Sequence, residues 1–147
     1  MAKHVEVITN ANAASFSGSG LVNTEVILRG NNLNISFLGG SNDTVLNEGT
    51  GNTVGSWFST SLTVNDLGTA LRLAVAGATN MTVEGWWRDP TATAVFDKWG
   101  PTSLTSDGHG GTLATGIQGV GGFFTGSIDF THADPSMSQF SITRTFL

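Results

Sequence analysis

The chain contains no cysteine and no tyrosine, only three prolines, and few charges of either sign. Without cysteine there are no disulfides, no thiolate zinc sites and no cysteine nucleophile. Lysine and arginine together number 6, and they do not cluster. A nucleic-acid partner needs a basic stripe, so none is expected; an anionic membrane surface is an equally poor match. No apolar run is long enough to span a bilayer. The first residues, Met1 to Val7, alternate like a strand and lack the apolar core of a cleaved signal peptide. Charged residues make up 12% of the chain, about half the usual share, and the formal net charge is −5. Glycine, serine, threonine and asparagine stand where charges usually do. That composition suits strands, turns and a hydrated surface outside a cell.

What is present is punctuation and alternation. Asn42-Asp43-Thr44-Val45 is echoed nine positions later by Gly51-Asn52-Thr53-Val54. A looser version, Asn34-Ile35-Ser36, lies upstream. Units of one polar turn and one short β segment are how β-solenoids are written. Stacked coils place like residues over like, which favours Asn and Thr ladders and β-branched ridges. Alternation continues to the end of the chain. Glu25 to Leu28, Leu33 to Phe37, Phe58 to Val64, Leu71 to Val75, Met81 to Trp87, Thr93 to Trp99, Thr112 to Ile117, Phe123 to Thr131 and Gln139 to Leu147 read as strands. Turn signals such as Gly30-Asn31-Asn32, Asp89-Pro90, Asp107-Gly108 and Asp134-Pro135 separate them. Asn65 to Ala76 has a helix-capping residue, but its Leu71, Leu73 and Val75 fit period two. Asn10 to Ser17 reads as a loop or short turn. The expectation is an all-β single domain over residues 1–147. Short solenoid-like rungs would occupy the first half, with longer strands and hairpins in the second; a two-sheet β-sandwich is the alternative.

The stretch Gly39-Gly40-Ser41-Asn42-Asp43-Thr44-Val45-Leu46 resembles the glycine- and aspartate-rich nonapeptide of haemolysin-type (repeats-in-toxin) secreted bacterial proteins. About two copies of that motif are present. The second carries Asn52 in place of a carboxylate and splits its glycine pair into Glu48-Gly49-Thr50-Gly51. The resemblance implies calcium between rungs, with Asp43 and Glu48 as the nearby carboxylates. It also implies type I secretion, without a cleaved signal. The competing reading is a metal-free solenoid in which Asn ladders replace the ions.

Other polar residues point less clearly to chemistry. His109 sits in a Gly-rich turn and lacks partners for a metal. Asp129, His132 and Asp134 are near in sequence, but no nucleophile motif accompanies them. Carboxylate pairs among Asp66, Glu84, Asp89, Asp97 and Asp129 would be needed for glycoside hydrolysis. The tryptophans are the stronger lead. Alternation places Trp57 with Ser59 and Ser61, and Trp86 with Thr82, Glu84 and Arg88. Indoles on polar faces stack on sugars or fill interfaces. The terminal strands also carry uncovered apolar residues: Val5 and Val7 at one end, Phe140, Ile142 and Phe146 at the other.

These features lead to a non-enzymatic, extracellular bacterial structural or adhesive protein that assembles with copies of itself through β-strand contacts. The alternatives are a carbohydrate-binding module using Trp57 and Trp86, and a phage or particle structural protein. A polysaccharide is the candidate ligand.

Overall fold

The computed structural model describes residues 3–97, 103–118, 125–133 and 143–145. The chain winds as a parallel β-solenoid of about five coils. In chain order the strands are β1 (His4–Ile8), β2 (Gly18–Ser19), β3 (Thr24–Leu28), β4 (Asn34–Leu38), β5 (Thr44–Asn47), β6 (Thr53–Trp57), β7 (Ser59–Thr60) and β8 (Thr63–Asp66). They continue as β9 (Arg72–Val75), β10 (Ala78–Thr79), β11 (Met81–Glu84), β12 (Thr93–Asp97), β13 (Ser103–Ser106), β14 (Thr112–Gln118), β15 (Thr125–Phe130) and β16 (Thr143–Thr145). One wall runs β1-β3-β5-β8-β11-β15-β14-β13, a second holds β2, β4, β6, β9, β12 and β16, and a narrow third pairs β7 with β10.

The repeat is nineteen residues. Glu25 pairs with Thr44, Thr44 with Thr63 and Thr63 with Thr82 on the first wall, each nineteen positions on. Asn34, Thr53 and Arg72 follow the same step on the second. The nine-residue echo therefore marks half a coil. Val45 and Val54 face each other from opposite walls instead of stacking in one column.

Inward residues alternate with outward ones, and the inward ones stack. Val26, Val45, Val64 and Val83 form one fully buried column. Ile35, Val54, Leu73 and Ala94 form the facing one. β-Branched side chains suit this geometry, because each packs flat against its copy one rung away. Complete burial of a Val or Leu side chain contributes roughly 1.5–3 kcal/mol, so these columns are the main source of stability.

The corners explain the Asn and Gly punctuation. Asn23, Asn42, Ser61 and Asn80 all have positive φ, as do Gly20, Gly39, Phe58 and Gly77, and Asn32, Gly51 and Ala70. Each set recurs at the coil spacing. Left-handed backbone is tolerated by Gly and, next best, Asn. The run from Phe58 to Val64, read as one strand with one face, is broken here by two such corners. Phe58 and Thr60 are exposed while Leu62 and Val64 are buried. Asn65 to Ala76 is strand, corner and strand, and Asn10 to Ser17 contains a single 3-10 turn at Ala13–Ser15.

The solenoid extends further than the first half of the chain and displaces the sandwich alternative: β11 and β12 still stack in parallel on β8 and β9. Hairpins appear only after that, with β13, β14 and β15 antiparallel and β15 returning in parallel onto β11. β16 pairs with β12, so the last described strand joins the domain's own second wall. Phe140, Ile142 and Phe146 lie outside the described residues. Val5 and Val7 project outward from β1, the edge strand of the first wall, and are exposed.

Candidate functional site

Among the stacked coils from β1 to β12 the step departs from nineteen twice, by one residue between β1 and β3 and by two at the corner after β11. From Glu25 to Glu84 the first wall keeps its nineteen-residue step, with Glu84 opposite Asn65. On the second wall Thr93 pairs with Arg72, twenty-one positions away. Two extra residues have entered the corner between β11 and β12. Gly85 opens it with φ 78°, and Trp86–Arg88 form a 3-10 turn closed by Asp89. The turn rotates the chain out of strand alternation. Trp86 is fully buried against Phe130, with ring centroids 4.5 Å apart, and Trp87 is 43% exposed. Strand alternation in the sequence places them the other way round. Trp86 is a core residue and not a ligand platform; the local signal for the swap was the Gly85 break.

Trp87 has a built surrounding. The Arg88 guanidinium carbon lies 5.3 Å from its ring centre, a cation–π distance. The His132 imidazole meets its edge at 6.5 Å and 74°. Together with Asn65, Leu67, Glu84, Gly85 and Thr131 these residues line a depression of about 420 Å³. Asn65 and Glu84 arrive from adjacent rungs of the first wall, where they pair in register. His132 is held there by the turn after β15, with φ 58°. The depression thus offers an indole, one cation, one carboxylate, an amide, a hydroxyl and an imidazole. Its fixed charges cancel, although the chain as a whole carries −5.

Beneath this corner runs a buried polar chain. Asn52 accepts from the Leu33 amide at 2.8 Å and donates to Asn47 Oδ1 at 2.8 Å and to the Gly30 carbonyl at 3.0 Å. Asn47 donates to Asp66 Oδ1 at 2.9 Å. Asp66 meets Asp89, which accepts from the Ala70 and Leu71 amides at 2.9 and 3.0 Å. Burial, with Asp89 alongside, pushes the Asp66 carboxyl up to about 7. Asp66 and Asp89 were candidate partners for hydrolysis. They do come together, but both are buried in the solenoid interior, where no substrate reaches them.

The calcium candidates are placed apart. Asp43 and Glu48 flank opposite ends of β5. Asp43 is buried and accepts from the Thr24 amide at 2.9 Å. Glu48 pairs on the outside with Arg29 at 3.1 Å. The two carboxylates do not form a common site, and among the described residues no cluster of three or more acidic or histidine side chains suits a metal. Asp107 accepts from the His109 and Gly111 amides at 2.6 and 2.9 Å, which fixes the glycine-rich turn between β13 and β14. Its neighbour Asp129 is pushed up to about 6, by burial first and then by Asp107. Trp57 is half-buried at another corner, in register with Leu38 and beside Phe58.

Comparison with protein-family models, with curated proteins and with solved structures finds no match to this chain.

Proposed function

We propose that the protein is a non-catalytic, extracellular attachment module: a rigid β-solenoid that holds a neutral polysaccharide at Trp87. The observation that carries this reading is the half-exposed Trp87 at a corner where the coil gains two residues. A folding corner needs Gly or Asn there; an exposed indole costs stability and returns none. Sugars present C–H faces to an aromatic ring and hydroxyls to its flanks. Asn65, Thr131 and Glu84 supply acceptors and donors at that rim, and the cancelling charges of Glu84 and Arg88 favour an uncharged ligand. Type I secretion remains part of the proposal, on the strength of the resemblance of residues 39–46 to the haemolysin-type repeat.

The test is calorimetric titration with a panel of neutral and acidic oligosaccharides. Neutral glycans should bind saturably, and Trp87→Ala should weaken binding at least tenfold with an unchanged unfolding midpoint. Absence of binding across the panel would remove this reading.

Self-association is a second reading, favoured by β1. Among the described residues β1 pairs only with β3, so one side of its backbone faces outward beside the exposed Val5 and Val7. Such an edge can accept a strand from another copy. Sedimentation velocity across a hundredfold range of concentration should show growth of oligomers that a Val5→Lys, Val7→Lys variant abolishes. A monomer at every concentration would exclude it.

A further inference from the structure

We propose that the Trp87 corner is governed by a proton held inside the solenoid between Asp66 and Asp89, whose loss loosens the corner and weakens attachment there. The binding half of this inference rests on the attachment reading of Trp87; the proton lock itself does not.

Both carboxyls are sealed from solvent, at 2% and 1% exposure. Asp66 Oδ1 accepts from Asn47 at 2.9 Å and from the Gly68 amide at 3.2 Å. Its Oδ2 is buried and receives no donor. What Asp66 meets instead is the Asp89 carboxyl. Asp89 is already supplied: Oδ1 accepts from the Ala70 amide and from Thr91 Oγ1 at 3.2 Å, and Oδ2 from the Leu71 amide. Two carboxylates offer only acceptors to each other, so contact requires one proton. The better-supplied anion is Asp89, and the proton therefore belongs on Asp66 Oδ2. The ionisation tendencies agree. Burial drives Asp66 upward; burial also acts to raise Asp89, but hydrogen bonds from Asp66 and from the Leu71 and Ala70 amides hold it below the ordinary range.

Loss of that proton would leave two anions in a dry interior. Little stands ready to compensate. The neighbours on β5 and the next corner, Asn47 and Asn52, are neutral. Glu48 and Glu84 belong to the outer surface. Arg88 is a cation at this corner: its Nη2 lies 3.1 Å from where a Cβ on Gly85 would stand, and that position is 2.3 Å from the Asp66 carbonyl oxygen. Arg88 is also the residue packed on Trp87. Repulsion therefore acts on the segment that carries the ligand platform. Asp89 closes the Trp86–Arg88 turn through its own amide, 3.1 Å from the Trp86 carbonyl, and ties that turn to the coil beneath through Ala70 and Leu71. Pushing Asp89 away, or drawing Arg88 inward, moves Trp87.

The experiment follows the Trp87 indole N–H resonance of the full chain from pH 5 to 9, with the carboxyl carbon of Asp66 read in parallel. In the unmodified protein both should titrate with one shared midpoint. Asp66→Asn places an N–H donor where the proton was, and should reduce the Trp87 shift to under a fifth. His132 also touches Trp87, and His132→Gln should leave the midpoint in place. Persistence of the titration in Asp66→Asn, its loss in His132→Gln, or an Asp66 carbon signal that does not move together with Trp87 would each overturn the proton lock. In the binding arm, a neutral β-glucan hexasaccharide should bind at least threefold more weakly at pH 8.5 than at pH 5.5, and equally at both in Asp66→Asn. Equal affinity in the unmodified protein would overturn the coupling. No binding at any pH, with the indole titration intact, would sink the attachment reading and leave the lock standing.

Discussion

Gly68→Ala places one methyl group where two coils meet. A Cβ on Gly68 would stand 1.9 Å from the Gly49 carbonyl oxygen, and a Cβ on Gly49 would stand 1.9 Å from that of Gly30. Side-chain carbons essentially never approach a heavy atom closer than 3.0 Å. The coils must therefore part by more than an ångström at this corner. Two ladder bonds flank it: the Leu67 amide to the Asn47 carbonyl at 2.9 Å and the Thr69 amide to the Gly49 carbonyl at 3.2 Å. Parting by that much carries both beyond hydrogen-bonding range. Each group left unsatisfied costs about 1–3 kcal/mol, so the variant should lose roughly 3–5 kcal/mol, a large part of the 5–15 kcal/mol typical of a domain. Gly39→Ala is the control. It has φ +67° and nothing within 4 Å of its added carbon, so only backbone strain applies, about 1–2 kcal/mol. Urea unfolding followed by circular dichroism gives both values. Equal midpoints for Gly68→Ala and Gly39→Ala would refute the close stacking of carbonyl on glycine.

Stability should also depend on pH in an unusual direction. Asp66 is raised in the fold, so its contribution is complete below the ordinary carboxyl value of 3.8 and is lost as pH rises through about 7. Asp129, raised to about 6, acts in the same sense, and the lowered Asp89 opposes them only in strong acid. Raising one carboxyl from 3.8 to about 7 corresponds to roughly 4 kcal/mol, so thermal melts should give a higher Tm at pH 5 than at pH 8; the reverse order would contradict the buried pair. Val45→Asp puts an unpaired carboxylate in a fully buried column and should cost several kcal/mol, leaving little folded protein in a solubility and circular dichroism assay. A soluble variant with an unchanged spectrum would show that Val45 does not face the core. Chelator should shift Tm by less than a few degrees, because Asp43 and Glu48 sit at opposite ends of β5; a large calcium-dependent rise would restore the ion-bound reading.

The strand class and the stacked coil were legible because they depend on local pattern. Thr44-Val45 and Thr53-Val54 each report one inward side chain, and Asn42, Gly39 and Gly51 mark corners that need left-handed backbone. The period was harder to read. Opposite walls of a coil carry similar segments, so the nine-residue half coil stood out in place of the nineteen-residue whole. The Trp87 corner was legible only in part. A tryptophan pair was visible, but which indole faces outward depends on two inserted residues and a 3-10 turn, and alternation cannot register either. The Asp66 and Asp89 contact joins residues on successive coils, and nothing in their spacing separates a buried pair from an exposed one.

The nineteen-residue step also makes the protein countable. Each coil interacts with its neighbours above and below, so the energy of the stack grows by nearly equal increments. A tandem copy of residues 43–61 would add one coil and lengthen the solenoid by about 4.8 Å, the distance between adjacent strands. The corner at Trp87 would be carried outward unchanged, because every contact described for it comes from its own coil, the coil beneath or the returning strand β15. Length is then a dial that gene duplication can turn without touching the Trp87 corner, and the reach of the molecule is separable from the chemistry of that corner.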